Sequence, residues 1–130
     1  MKRTAQPLLS QDGQQALDLY GQVLQQFEDI SPVTIRNYLS DLRQFIAWCE
    51  DCWRAGQEQC SFTPQAVAPS LLMCYREYLQ TTLCLKPSTV NRTLMSLKRY
   101  FAWTRKTQLI QFDPASPIKF VPKEAAPLGI

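Results

Sequence analysis

The sequence of 130 residues contains no histidine and only four glycines. Without histidine, the chain cannot form a Ser/His/Asp or Cys/His nucleophilic site, an H-E-x-x-H zinc site, or a histidine general acid or base. The glycines, at positions 13, 21, 56 and 129, lie too far apart for a G-x-G-x-x-G turn or a Walker loop. These absences exclude histidine-dependent catalysis and argue against enzymes with a nucleotide cofactor, so we expect no cofactor.

The sequence also lacks an apolar run that could cross a membrane. The uncharged stretch between Glu58 and Arg76 is interrupted by Pro64, Pro69, glutamines and hydroxyl side chains, whereas a membrane span needs about 20 apolar residues. No apolar segment follows Met1-Lys2-Arg3, and the five cysteines are an odd number. We therefore expect a soluble cytoplasmic protein with no membrane partner and no disulfide framework.

The cysteines and carboxylates form no convincing chemical site. Cys49-x-x-Cys52 is half of a metal or redox motif, but the other half is missing and the pair lies inside a helical pattern. Glu50 and Asp51 lie beside Arg54, which predicts a helix exterior rather than a hydrolytic carboxylate pair. The tyrosines in or beside apolar stripes, Tyr38, Tyr75 and Tyr100, indicate core packing. We expect no metal site and no catalytic residue in this chain.

Charge is distributed unevenly along the chain. Residues 86–123 hold eight basic residues and one acidic residue, Asp113, a net charge of +7, whereas residues 1–85 hold six basic and nine acidic residues. An ordinary solvated helix face usually mixes both signs. This asymmetry predicts that the C-terminal part of the chain faces a polyanion.

Helical periodicity runs through most of the chain, and no strand-like alternation interrupts it. A first helix is expected from Asp12 to Phe27, with Asp12 and Gln15 forming a capping box. Ser31 followed by Pro32 predicts the N-cap and first residue of a long helix. A third helix is expected from about Ser70 to Leu83 and a fourth from Lys86-Pro87-Ser88. The predicted fold is all-α, a compact bundle of four to five helices.

The two long helices each show an apolar face and an outer face. In the first, the predicted buried stripe is Ile35, Tyr38, Leu42, Phe45, Cys49 and either Cys52 or Trp53, with Arg36, Ser40, Arg43 and Ala47 on the outer stripe. In the last, Val90, Leu94, Leu97, Phe101 and Thr104 face inward, and Asn91, Arg92, Met95, Ser96, Lys98, Arg99, Arg105 and Lys106 face outward. The second outer face is the one we expect to contact the polyanion.

The ends of the chain differ in composition from its centre. Residues 1–11 are polar and aperiodic, which predicts a flexible leader. Residues 12–112 are expected to form the helical domain. Four of the nine prolines fall in the last seventeen residues, so residues 113–130 are expected to be an extended linker toward a C-terminal domain that the sequence does not contain.

A Ser/Thr helix start followed by aromatics at helical spacing occurs twice. The first copy reads S-x-x-T-x-x-x-Y-L-x-D-L-x-x-F-x-x-W from Ser31 to Trp48, and the second reads K-P-S-T-V-N-R-x-L-x-x-L-K-x-Y-F-x-W from Lys86 to Trp103. Ile110-x-x-Asp113-Pro114-Ala115 follows. The ordered set resembles the N-terminal, SAM-like core-binding domain of the tyrosine recombinase and phage integrase family, over roughly residues 31–122.

The resemblance implies a non-catalytic DNA-binding domain. In that family a separate C-terminal domain carries the tyrosine nucleophile and its basic cluster, while the core-binding domain clamps the other side of the recombination half-site. The resemblance therefore implies that the full-length protein is a tyrosine site-specific recombinase or integrase. Its expected partners are a double-stranded DNA recombination site and other protomers in the synaptic complex. The leading helix is the expected contact between protomers.

The resemblance also assigns candidate DNA-binding residues on both long helices. On the first long helix these are Thr34, Arg36, Asn37 and Arg43; on the last they are Lys86, Ser88, Thr89, Asn91, Arg92, Ser96 and Arg99. Hydroxyls and free N–H groups at helix starts suit phosphates. Asn91 and Arg92 are the candidates for base edges, because Asn can read adenine and Arg guanine. Alternatively, Thr34 and Ser88 are only helix caps, and the arginines only surface charges.

Two other functions fit parts of the pattern. One is a helical protein-interaction module whose basic face meets an acidic partner; the aromatic stripes do not separate it from a DNA-binding domain, but salt dependence does. The other is a helix-turn-helix repressor, which needs short helices and a tight turn, usually with glycine. The long helices and the glycine-free joint from Leu83 to Pro87 fit that second alternative poorly.

Overall fold

The computed structural model of the chain describes residues 6–27, 29–57 and 61–122. Over these residues it contains four α-helices, a 3-10 turn, a π-helical turn and no strand, which confirms the all-α prediction. The elements are α1 Gln11–Leu24, α2 Pro32–Ala55, the 3-10 turn Pro64–Ala66, α3 Pro69–Glu77, the π turn Tyr78–Thr82, and α4 Pro87–Lys106. Residues 1–5 of the expected leader lie outside the described residues. The same is true of Cys60 and of the expected linker beyond residue 122.

The described residues fall into two units, with the boundary between Thr63 and Pro64. The first unit contains α1 and α2, and the second contains α3, the π turn and α4. Each unit has buried apolar residues of its own. In the ranges that the structure describes, neither unit has a helix with the length and hydropathy needed to cross a membrane.

Helix α2 begins as the sequence predicts. The Ser31 hydroxyl accepts a hydrogen bond from the Thr34 backbone N–H at 3.1 Å and donates one to Thr34 Oγ1 at 2.9 Å. Pro32 occupies the first helical position, where no backbone N–H is needed. The cap is therefore Ser31, and the Thr34 hydroxyl is its partner within the first turn.

Helix α1 begins and ends differently from the prediction. Its N-cap is Ser10 and not the predicted Asp12. The Ser10 hydroxyl accepts a hydrogen bond from the Gly13 N–H at 3.0 Å. The predicted apolar residues Leu17, Tyr20 and Leu24 are buried against α2, but Phe27 is 47% exposed because the helix ends at Leu24. The periodicity correctly identified the buried face but not the boundaries.

The core of the first unit is built on α2. Leu42, Phe45 and Cys49 are buried as predicted, while Ile35 and Tyr38 near the helix start are half-buried. Of the two alternatives at the end of the stripe, Trp53 is buried and Cys52 is exposed. The Phe62 ring joins this core, with its centroid 6.4 Å from that of Phe45 and 6.2 Å from that of Trp53.

Glu50 is the main correction in the first unit. The sequence placed it on the helix exterior with Asp51, and Asp51 does form an exposed salt bridge with Arg54 at 2.8 Å. Glu50, however, is only 1% exposed. Its carboxylate accepts hydrogen bonds from the Ser10 N–H, the Ser10 hydroxyl and the Phe62 N–H. These donors compensate the loss of water around a buried charge and join three separate segments of the unit.

Gly13 leaves the space that this carboxylate fills. A Cβ at position 13 would lie 2.7 Å from Glu50 Oε2 and 3.0 Å from Ile46 Cγ2. Replacing glycine by alanine inside a helix normally raises the free energy of unfolding by about 0.5 to 1 kcal/mol. At position 13, however, the added methyl group would displace a carboxylate held by hydrogen bonds. We expect Gly13→Ala to lower the free energy of unfolding by about 1 to 3 kcal/mol in a urea titration.

Gly21→Ala is the matched control for this prediction. Its added Cβ would approach only the terminal methyl groups of Leu39, at 3.3 and 3.7 Å, and that side chain can adjust. We expect its free energy of unfolding to stay within about 1 kcal/mol of the parent chain. Equal effects of the two substitutions would contradict the role given to Gly13.

The second unit is organised around α4. The five residues predicted to face inward, Val90, Leu94, Leu97, Phe101 and Thr104, are all buried, and the Thr104 hydroxyl donates to the Phe101 carbonyl at 2.8 Å. The predicted third helix is present as α3 and the π turn. Leu72, Tyr75 and Leu79 are buried there, but Leu83 is 47% exposed because it follows the π turn.

Candidate nucleic-acid interface

The exposed side of α4 is strongly cationic. The helix carries the basic residues Arg92, Lys98, Arg99, Arg105 and Lys106 and no acidic residue. All of these except Lys98 are exposed, and Lys86, at the start of the helix, is exposed as well. Arg92 and Arg99 are seven residues apart, two turns or about 10.5 Å along the axis, so they lie on the same side. This arrangement can meet successive charges of a polyanion.

The first turn of α4 is open to an external hydrogen-bond acceptor. Its N-cap is Lys86, whose side chain makes no capping hydrogen bond, and Pro87 occupies the first helical position. Ser88 is exposed and Thr89 is half-buried within this turn. Ser88 is therefore not the N-cap, and the alternative that it serves only as a cap is wrong. Backbone N–H groups in such a turn, together with a hydroxyl, suit a phosphate oxygen.

Ser96 does not lie on this exposed side. The sequence placed it between Arg92 and Arg99 on the outer face, but it is only 2% exposed, and its hydroxyl donates to the Arg92 carbonyl at 3.4 Å. Thr93 and Tyr100, on the same side of the helix, are buried too. The prediction was wrong because a small hydroxyl side chain can return its hydrogen bond to the preceding turn and enter a packed face.

Asn91 is also engaged within the protein. Its side-chain amide donates from Nδ2 to the Val121 carbonyl at 2.9 Å, and its Oδ1 accepts from the Val121 N–H at 2.7 Å. Both polar ends of the side chain are thus used by one backbone residue. Bidentate readout of adenine would use the same two groups, so it would compete with the contact to Val121.

Residues 113–122, here called the strap, pack on α4. Asp113 Oδ1 accepts from the Ala115 and Ser116 N–H groups at 2.9 and 3.2 Å and shapes the turn into the strap. Ala115, Ile118 and Val121 are buried. The sequence led us to expect an extended linker from residue 113; up to Pro122, the chain instead folds back onto the helix.

Lys98 makes a second contact with the strap, in addition to the contact between Asn91 and Val121. Its Nζ donates to the Ala115 carbonyl at 2.7 Å and lies 5.4 Å from the centroid of the Phe120 ring. Burial lowers the pKa of Lys98 below its ordinary value, and the carboxylate of Asp113 opposes that shift. The sequence analysis placed Lys98 on the outer face without a specific role. Its spacing of seven residues from Asn91 was the available signal that the two share a side.

The candidate residues of α2 belong to the first unit. Arg36 and Asn37 are exposed and Thr34 is half-buried near the helix start. Arg43 is half-buried, and its Nη1 donates to the Pro7 carbonyl at 3.3 Å. Arg36 and Asn37 are therefore accessible to a ligand, whereas Arg43 also holds the segment before α1.

The cysteine pair gives no sign of metal chemistry. Cys49 is buried and Cys52 is exposed, so the two thiols occupy different environments. Burial raises the pKa of the Cys49 thiol well above its ordinary value, with further contributions from Cys52 and Glu50. Within the ranges that the structure describes, no three His, Cys, Asp or Glu residues are grouped closely enough to hold a metal ion.

Comparison with protein families gives a match over most of the helical region. The family described as "Phage integrase, N-terminal SAM-like domain" matches residues 17–108, more than half of the chain. This range runs from within α1 to just beyond the end of α4 and includes every candidate DNA-binding residue. No curated protein and no solved structure gives a significant match.

Proposed function

The chain belongs to the family of phage integrase N-terminal SAM-like domains, and from that premise we propose that it is the DNA-binding, non-catalytic part of a site-specific tyrosine recombinase. In this proposal it holds one side of a recombination half-site during DNA integration or recombination. A catalytic domain beyond the linker, and other protomers of a synaptic complex, complete the assembly. The setting is the cytoplasm.

The observation that carries this proposal is the charge of α4. Its exposed side presents arginines and lysines with no acidic side chain in the helix, and such a surface gains affinity for a duplex by releasing counterions from its phosphates. The open first turn, with Ser88 exposed, adds hydrogen-bond donors that suit one further phosphate. Arg36 and Asn37, both exposed on α2, are proposed as additional contacts.

The proposed contacts favour phosphate binding over base recognition. Asn91 is used by Val121 and Ser96 is buried, so Arg92 is the remaining α4 candidate for a base edge. A single bidentate arginine contributes about 1 to 3 kcal/mol of discrimination. We therefore expect measurable binding to random duplex DNA and only modest sequence preference from this chain alone.

A salt titration tests the proposal. The fluorescence anisotropy of a labelled random duplex of about 20 base pairs is measured with increasing concentrations of the 130-residue chain, from about 50 to 300 mM salt. If about three to five phosphates are neutralised, log K should fall with log salt with a slope of about −2.7 to −4.5. Absence of binding at low salt would contradict the proposal, as would binding that polyglutamate displaces as readily as duplex DNA.

A further inference from the structure

We propose that Asn91 and Lys98 are positioning residues that hold the strap on α4 as a fixed part of the DNA-binding surface, so that Lys119 contacts a phosphate. This inference rests on the proposed DNA-binding function. It extends the surface from α4 to the chain that follows it. It also assigns a role to Asn91 other than base recognition.

The anchoring at Asn91 is specific in geometry. The side-chain amide presents a donor and an acceptor side by side, and both are matched by the carbonyl and N–H of the same residue, Val121. A paired contact of this kind fixes the direction of the strap as well as its distance from the helix. The buried Val121 side chain adds apolar contact at the same point.

A second anchor prevents rotation about the first. Lys98 lies seven residues after Asn91 on α4, about 10.5 Å further along the axis, and it binds the Ala115 carbonyl and approaches the Phe120 ring. The strap therefore runs antiparallel to α4, with Ala115 near Lys98 and Val121 near Asn91. Ile118, between these anchors, is buried.

Lys119 lies between the two anchors and is exposed, next to the buried Ile118. The Lys98 ammonium group is directed to the strap, whereas Lys119 presents a cation to solvent. A lysine on a mobile linker loses backbone freedom when it binds a phosphate, whereas one on an anchored strap has already lost it. Anchoring therefore increases what Lys119 contributes to affinity.

A double-mutant cycle measures this dependence. Asn91→Ala, Lys119→Ala and the double variant are titrated with random duplex DNA in the full 130-residue chain. We expect Lys119→Ala to weaken binding about 3- to 10-fold at low salt and to make the log-log slope shallower by about 0.9, the loss of one phosphate contact. In the Asn91→Ala background, the same substitution should change affinity by less than about 2-fold.

Lys106→Ala is the matched control. Lys106 is an exposed cation in the last turn of α4, so its effect should be the same in both backgrounds. Amide hydrogen exchange at Val121 should accelerate in Asn91→Ala, which confirms that the anchor has been released. If Asn91→Ala does not fold, Val121→Pro removes the N–H donor to Asn91 without changing α4 and takes its place in the cycle.

Three results would overturn the inference: no effect of Lys119→Ala, an equal effect of Lys119→Ala in both backgrounds, or tighter DNA binding by Asn91→Ala. The last would show that the strap competes with DNA for this side of α4. All three presuppose salt-dependent binding by the parent chain. Loss of that binding would instead reject the proposed function itself.

Discussion

Replacing Arg92 and Arg99 together by alanine should weaken binding to random duplex DNA by about 2 to 4 kcal/mol, roughly a 30- to 1000-fold rise in Kd at low salt. The two guanidinium groups lie on one exposed side of α4, two turns apart, in a helix without an acidic residue. Arg92→Ala alone should account for about 1 to 3 kcal/mol. Fluorescence anisotropy with a labelled duplex measures both effects.

The folded state should tolerate this double substitution. Both side chains are exposed, and surface substitutions usually change the free energy of unfolding by no more than about 0.5 kcal/mol each. Arg54→Ala is the matched control, because Arg54 is an exposed arginine near the end of α2 and pairs with Asp51; it should change DNA affinity less than about 2-fold. Unchanged binding by the double variant would contradict the assignment of the α4 face.

Glu50→Ala should lower the free energy of unfolding by about 2 to 4 kcal/mol. The substitution removes the acceptor for the Ser10 N–H, the Ser10 hydroxyl and the Phe62 N–H. It also leaves a cavity under α1, because the carboxylate occupies the space beside Gly13. Urea denaturation followed by circular dichroism gives the free-energy difference.

Glu77→Ala and Glu50→Gln make this prediction specific. Glu77 is an exposed glutamate at the end of α3. Glu77→Ala should therefore lower the free energy of unfolding by less than about 0.5 kcal/mol. Glu50→Gln keeps the volume and one acceptor oxygen of the side chain but places an NH₂ group against backbone donors. We therefore expect it to lower the free energy of unfolding by an amount between those of Glu77→Ala and Glu50→Ala. A Glu50→Ala variant as stable as Glu77→Ala would contradict the role of this carboxylate.

The sequence predicted those features of the fold that depend on neighbouring residues. Ser31 and Pro32 identified the start of α2, because capping and the missing proline N–H act within a single turn. The spacing of Val90, Leu94, Leu97, Phe101 and Thr104 identified the buried face of α4, because apolar periodicity directly reflects burial on one side. The exposure of Arg92 and Arg99 followed from the same reasoning.

The features that the sequence did not predict depend on residues distant in the chain. Glu50 looked exterior beside Asp51, because its donor Ser10 is 40 residues away. Asn91 looked available to DNA, because its partner Val121 is 30 residues away in a proline-rich segment with no helical period. Side chains of this kind are polar in either role, so composition and periodicity do not distinguish an exposed position from a hydrogen-bonded internal one.

The most direct test of DNA binding through α4 is a titration of the ¹⁵N-labelled chain with random duplex DNA, followed residue by residue through amide chemical shifts. Our account predicts that, at low salt, the largest shifts lie in α4 between Ser88 and Arg99, and that they disappear as salt is raised. Shifts absent at low salt, or confined to α1 while α4 stays unchanged, would contradict it.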